Sequence, residues 1–191
     1  MYNYSRARAK IQQKIKEECK MTFLDIAKAR QATRKYTEEK IDKETLDKIL
    51  NAAYVAPTAA NKQPVRLLVL QDEGLEKLKE STDVYNAPLA IIVCANNDNA
   101  WTRPFDGKKT TDIDASILTD HMQLQATELG LGTVWICYFK PDVIKEQFHL
   151  PEGYEAINIL AIGHPIQAPK DNETHLAKRL PLNELVSYEK F

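Results

Sequence analysis

The chain has 191 residues, 43% hydrophobic and 28% charged, which is the size and balance of one compact domain and excludes a disordered or fibrous protein. Its 26 Lys and Arg against 27 Asp and Glu leave a formal charge of −1, so no overall field draws it to nucleic acid or to an anionic membrane. The longest apolar runs, such as 89–95, are far shorter than the roughly 20 residues that span a bilayer. The N-terminal residues lack the apolar stretch of a secretory signal, and Cys19, Cys94 and Cys137 show no metal-ligand spacing, so a cytoplasmic protein with reduced thiols is expected.

In chain order, residues 2–20 read as a basic helix whose apolar stripe (Tyr4, Ala7, Ile11, Ile15, Cys19) is too thin to anchor a core. Residues 1–20 are therefore read as an N-terminal helical extension, either an appendage or an upstream start, before a main domain over 21–191. Thr22 and Asp25 form a near capping box for a helix over 23–31. Asp42 caps a second helix with its apolar face at Leu46, Ile49, Leu50 and Ala53, ended by Pro57. Runs at 65–70 and 89–94 predict two buried strands, the first stopping at Asp72-Glu73-Gly74. Residues 113–129 predict a long helix with apolar residues on more than one face, closed by Gly130; such a helix is central or lies in a subunit interface. Strands over 133–137 and 156–162 follow, with a helix over 141–148 between them that starts on Pro141. Helices and strands alternate without a regular βαβ rhythm. The expected fold class is α+β, an α/β/α sandwich around a mixed central sheet.

The usual signatures of hydrolases and metalloenzymes are missing: there is no H-E-x-x-H or G-x-S-x-G, and four histidines never fall at ligand spacing. Only six glycines are present and neither nucleotide-binding glycine motif occurs. His121 reads as a hydrogen-bonded interior residue and Cys137 as a buried structural thiol. Four pieces remain. Arg30 and Arg34 stand one helical turn apart, where both could face one anion or simply complement a helix end. The stretch Ala56-Pro57-Thr58-Ala59-Ala60-Asn61-Lys62-Gln63-Pro64 offers a hydroxyl and two amides on a stiffened loop. Leu129-Gly130-Leu131-Gly132-Thr133-Val134-Trp135-Ile136 is a tight helix-to-strand turn, and Lys178-Arg179-Leu180-Pro181 is a second cationic pair.

These four pieces, in this order, resemble the FMN-dependent nitroreductase family from about Met21 to about Glu184. The resemblance implies a homodimer with two shared FMN sites, and ping-pong transfer from NAD(P)H to a small acceptor such as a nitroaromatic or quinone, with the chemistry carried by the flavin and no catalytic side chain. Residue by residue, it implies that Arg30 and Arg179, with Lys178 beside it, meet the flavin phosphate and that Arg34 meets the pyrimidine edge and ribityl chain. Thr58, Ala59, Asn61 and Gln63 match a loop that reaches the flavin from the partner subunit, and Cys137 and Tyr138 the stretch whose backbone meets N5 and O4. Gln31 and Ala32 stand where Arg and Ser are usual, Ala60 where Gly is common and Val65 where Trp is usual. The absent Ser hydroxyl removes one phosphate hydrogen bond, about 1 kcal/mol, which weakens binding without abolishing it.

The loop 96–111, with Trp101, Arg103 and Phe105, either covers the flavin and selects substrates or packs on its own aromatics. Two other readings stand beside the oxidoreductase: a flavin-sequestering or regulatory dimer without useful turnover, and a relative that turns the same fold to dehalogenation or flavin breakdown.

Overall fold

The computed structural model describes residues 21–167 and 176–191; the helix expected over 2–20 lies outside the described residues. The first described helix, α1 (Phe23–Ala29), opens on the expected capping box, with Asp25 N–H donating to Thr22 Oγ1 and Thr22 N–H donating back to the Asp25 carboxyl. Helix α2 (Lys43–Tyr54) is capped by Asp42, whose carboxylate accepts from Thr45 N–H at 2.9 Å. Then come β1 (Val65–Leu70), α3 (Glu73–Leu78), β2 (Leu89–Asn96), α4 (Thr111–Glu128), β3 (Gly132–Ile136), α5 (Pro141–Gln147) and β4 (Tyr154–Gly163), with a short α6 (Leu182–Leu185) in the C-terminal segment.

The four strands form one sheet in the order β1-β2-β4-β3, every pair antiparallel. Among the described residues, the parallel pairing expected of a mixed sheet is confined to a single bridge, Ala32 to Thr133. Strand β2 has seven buried residues out of eight because both faces of the sheet are covered. Its residues Leu89, Ile91 and Val93 pack with Ile49, Leu118 and Met122 under α2 and α4, while Ala90, Ile92 and Cys94 pack with Leu75, Leu78 and Ile144 under α3 and α5. This two-period alternation of a wholly apolar strand between two helical layers is the physical basis of the sandwich. Strand β1 differs from the expected buried strand: it is an edge strand, half-buried, with Arg66 exposed.

Two glycines set how closely the layers approach. Helix α4 ends in a Schellman turn, with Gly130 at φ +78, Gly130 N–H donating to Thr127 O and Leu131 N–H to Ala126 O. A Cβ on Gly132 would lie 2.6 Å from Thr33 Oγ1, so only glycine lets the 32–34 stretch run against β3. Among the described residues no helix is long and apolar enough to cross a membrane.

Candidate functional site

The basic segment does not form the helical turn that its spacing suggests. Helix α1 stops at Ala29; Arg30 is extended (φ −60, ψ 119), Ala32 bridges Thr133 and Tyr36 bridges Pro165. In extended chain Arg30, Ala32 and Arg34 still share a side, but the two arginines stand about 13 Å apart along the backbone instead of about 6 Å. The spacing no longer sets the two side chains side by side on one helical face. The change has a tertiary cause: Thr33 N–H donates to Thr133 O at 2.8 Å, recruiting the segment to the edge of β3.

This recruitment makes a cleft of about 500 Å³ between the segment and the turn after α4. Gln31, Ala32 and Arg34 line it on one side, Gly130, Leu131 and Gly132 on the other. Arg30, half-buried, lies at the entry of the stretch and is not among the lining residues. The Arg34 guanidinium sits over the Tyr85 ring, 5.6 Å from its centroid, which steadies the cation by its attraction to the ring face. Behind it the Tyr36 hydroxyl donates to Thr33 O at 2.6 Å, and burial pushes that phenol well above its ordinary value.

The loop 58–63 is held apart from this cleft, and Asn61 and Gln63 are exposed. It is built of non-glycine residues in the left-handed region: Ala60 at φ 48, Asn61 at 53 and Gln63 at 49. Gln63 N–H donates to Thr58 Oγ1 at 3.1 Å and its side-chain amide to Asn61 Oδ1 at 3.2 Å, so the two amides are tied together. Ala59 N–H donates to Oδ1 of Asp114, which is 1% exposed in the first turns of α4.

At the far end of β3, Tyr138 is 93% exposed and Cys137 is exposed too, not the buried thiol expected, because the strand ends at Ile136 before the chain turns outward. Backbone there is fixed: Thr82 Oγ1 donates to Tyr138 O at 2.7 Å and Lys140 N–H donates to Ser81 O at 3.2 Å. Lys178 and Arg179 lie in the exposed C-terminal segment and do not line the cleft. In the 96–110 loop Arg103 is paired in a fork with Asp106, Phe105 is 93% exposed and Trp101 is half-buried. His121 is half-buried with Nδ1 2.9 Å from Ile117 O, as an interior residue should be.

A family model described as the nitroreductase family matches residues 27–83 and 75–164, spanning the basic segment, the 58–63 loop, the glycine turn and the whole sheet. The chain belongs to the nitroreductase family. A crystal structure of a nitroreductase family protein from Clostridium difficile 630 is similar at a TM-score of 0.87 and 53% identity, covering 90% of this chain and 100% of that one. A Methanothermobacter thermautotrophicus protein, provisionally named an NADH dehydrogenase/NAD(P)H nitroreductase, is 30% identical over 86% of this chain and 88% of its own length. An FMN-dependent nitroreductase from Clostridium difficile R20291 is similar at a TM-score of 0.68 and 29% identity, covering 88% and 99% of the two chains.

Within this nitroreductase-family fold, three residues around the expected site escape a reading by motif. Thr82 and Tyr85 belong to a connecting segment with no motif at all. Asp114 did carry a signal: it falls on the same helical row as Leu118 and Met122, a carboxyl group at a core-facing position of an otherwise apolar face.

Proposed function

We propose that the chain is an FMN-dependent NAD(P)H oxidoreductase that passes electrons to a small acceptor such as a nitroaromatic or quinone, and that it works as a homodimer. The observation that carries the reading is the bridge of Ala32 to Thr133, which sets Arg34 against the Gly130–Gly132 turn around one cleft. The donor set suits the group. The charge type of Arg34 at the cleft, and of Arg30, Lys178 and Arg179 outside its lining, matches a phosphate dianion and an electron-rich ring edge, and the amides of Asn61 and Gln63 match a ring with alternating donors and acceptors. The separation of Arg30 from Arg34 favours a division of labour, with Arg30 and Arg179 toward phosphate and Arg34 toward the pyrimidine edge.

When bound, FMN supplies hydride acceptance and donation, which is why no triad or metal cluster is required of the protein. The chain's own part is to bind and orient. Arg34, steadied by Tyr85, holds positive charge at one edge, and the backbone at Cys137 and Tyr138, pinned by Thr82 and Ser81, is held rigid at the other. The exposed Tyr138 ring narrows what can stack there.

A dimer is supported by apolar surface that one copy leaves bare: Leu180, Leu182, Leu185 and Tyr188 are each 70% exposed or more, as are Phe23, Tyr54 and Val55. Asn61 and Gln63 do not line the cleft of their own chain, which fits a site completed by a second copy. The test is purification followed by an absorption spectrum, then anaerobic NADH or NADPH. A yellow protein that bleaches with either nicotinamide is expected. A colourless protein that binds no added FMN overturns the reading, and a yellow one that neither nicotinamide bleaches replaces it with the flavin-sequestering dimer.

A further inference from the structure

We propose that Asp114 is a positioning residue for the cofactor site, its buried carboxyl group holding the 58–63 loop in the conformation that presents Asn61 and Gln63. The inference rests on the reading of that loop as cofactor-facing. Ala60, Asn61 and Gln63 all stand at positive φ without being glycine, a strained run that persists only where surrounding contacts over-determine it. The loop's own bonds, Asn61 N–H to Thr58 O, Lys62 N–H to Ala59 O and Gln63 N–H to Thr58 Oγ1, are local and fix its shape. Outside the loop, its exit is held by Arg66 Nη1 donating to Gln63 O at 3.3 Å and Asn96 N–H to Pro64 O at 2.9 Å, and its entry by Ala59 N–H donating to Asp114 Oδ1 at 2.9 Å across 55 residues of sequence. The other carboxyl oxygen lies 3.2 Å from Thr110 Oγ1, a hydroxyl that also approaches Trp101 O at 3.3 Å. Asp114 thus ties the loop to the start of α4 and, through Thr110, to the base of the 96–110 loop. A buried polar group needs partners, and the loop needs an anchor; each supplies the other.

Two variants remove the contact from opposite sides. Asp114→Ala deletes the acceptor. Ala59→Pro deletes the donor and sets the ring Cδ against the carboxylate while leaving Asp114 in place, and Thr58 before it is already extended at φ −128, ψ 157, the conformation proline demands of its predecessor. FMN binding is read by fluorescence titration, and amide exchange at 61–63 is read in FMN-free protein. Both variants should exchange at least tenfold faster there and bind FMN about tenfold more weakly, and the double variant should be no worse than either single one. Asp114→Asn, whose amide oxygen still accepts from Ala59, should recover most of both effects. Unchanged exchange in Asp114→Ala and Ala59→Pro overturns the anchor, and faster exchange at unchanged FMN affinity overturns its role toward the cofactor. Wild-type protein that takes up no FMN overturns the flavin reading itself.

Discussion

Strand β2 and the C-terminal segment 176–191 are both rich in large apolar residues, yet seven of the eight β2 residues are buried while every residue of the segment is exposed. The sheet has a helical layer on each face, so its apolar side chains find partners within the chain. The segment's bonds, Arg179 N–H to Leu176 O and Val186 N–H to Leu182 O among them, are local turns. The difference separates apolar surface that the chain buries by itself from apolar surface that it leaves exposed.

The largest expected effect tests the finished half. Leu160→Ala, at a fully buried position of β4 between Ile91 of β2 and Trp135 of β3, should lower unfolding free energy by roughly 2–5 kcal/mol in urea titrations. A loss below about 1 kcal/mol would mean that the sheet is less closely packed than its burial implies. The unfinished half should answer differently. Leu182→Glu with Leu185→Glu should leave far-UV circular dichroism unchanged yet weaken self-association by more than about 100-fold in sedimentation, since burying each leucine is worth roughly 1.5–3 kcal/mol. Unaltered association would place the dimer contact elsewhere.

Arg30 lies in the folded body and Arg179 in the segment, so paired substitutions ask whether both regions serve one ligand. Each change to Ala should weaken FMN binding by roughly 1.5–3 kcal/mol, read by fluorescence titration. A loss for Arg30→Ala alone would leave the segment outside the site. At smaller scale, Ala60→Gly should relieve the left-handed strain at φ 48 and shift stability by at most about 1 kcal/mol upward, because glycine's freedom in the unfolded chain offsets part of the gain.

The smallest effect concerns the cap of α2. The Thr45 hydroxyl and then its backbone N–H hold the Asp42 carboxyl below its ordinary value of 3.8. Its contribution is therefore present above about pH 4 and lost as pH falls through the lower folded value. Asn is an equally good cap without the charge, so Asp42→Asn and wild type should differ slightly in urea midpoint at pH 7 and converge in acid once the carboxyl is protonated. A gap that persists in acid would assign the difference to geometry instead of charge.

Much of this fold was legible in residue order. The expected strand over 65–70 matches β1 to the residue and the other expected strands match to within two, because short apolar runs bounded by turn residues have few alternatives. Helix α3 carries no such signal, because Asp72-Glu73-Gly74 looks like a turn. Gly74 lies inside that helix, where a Cβ would meet Leu70 Cδ2 at 3.1 Å. The arginine segment was misread as helix because nothing local marks its departure: the pairing that straightens it comes from Thr133, a hundred residues on. The site's residue types were legible, while the left-handed run at 60–63 was hidden by an alanine where glycine would have announced it.

The close seat of Thr33 against Gly132 has a consequence for how the protein behaves in a crowd. By bridging β3 at Thr133, the 32–34 stretch interrupts the outer backbone edge that another chain could join. The opposite edge, β1, carries the exposed Arg66, a cation that discourages the same kind of joining. Copies of this protein are thus steered away from open-ended strand addition, which has no natural stopping point, and toward contacts between side-chain surfaces, which can close after two.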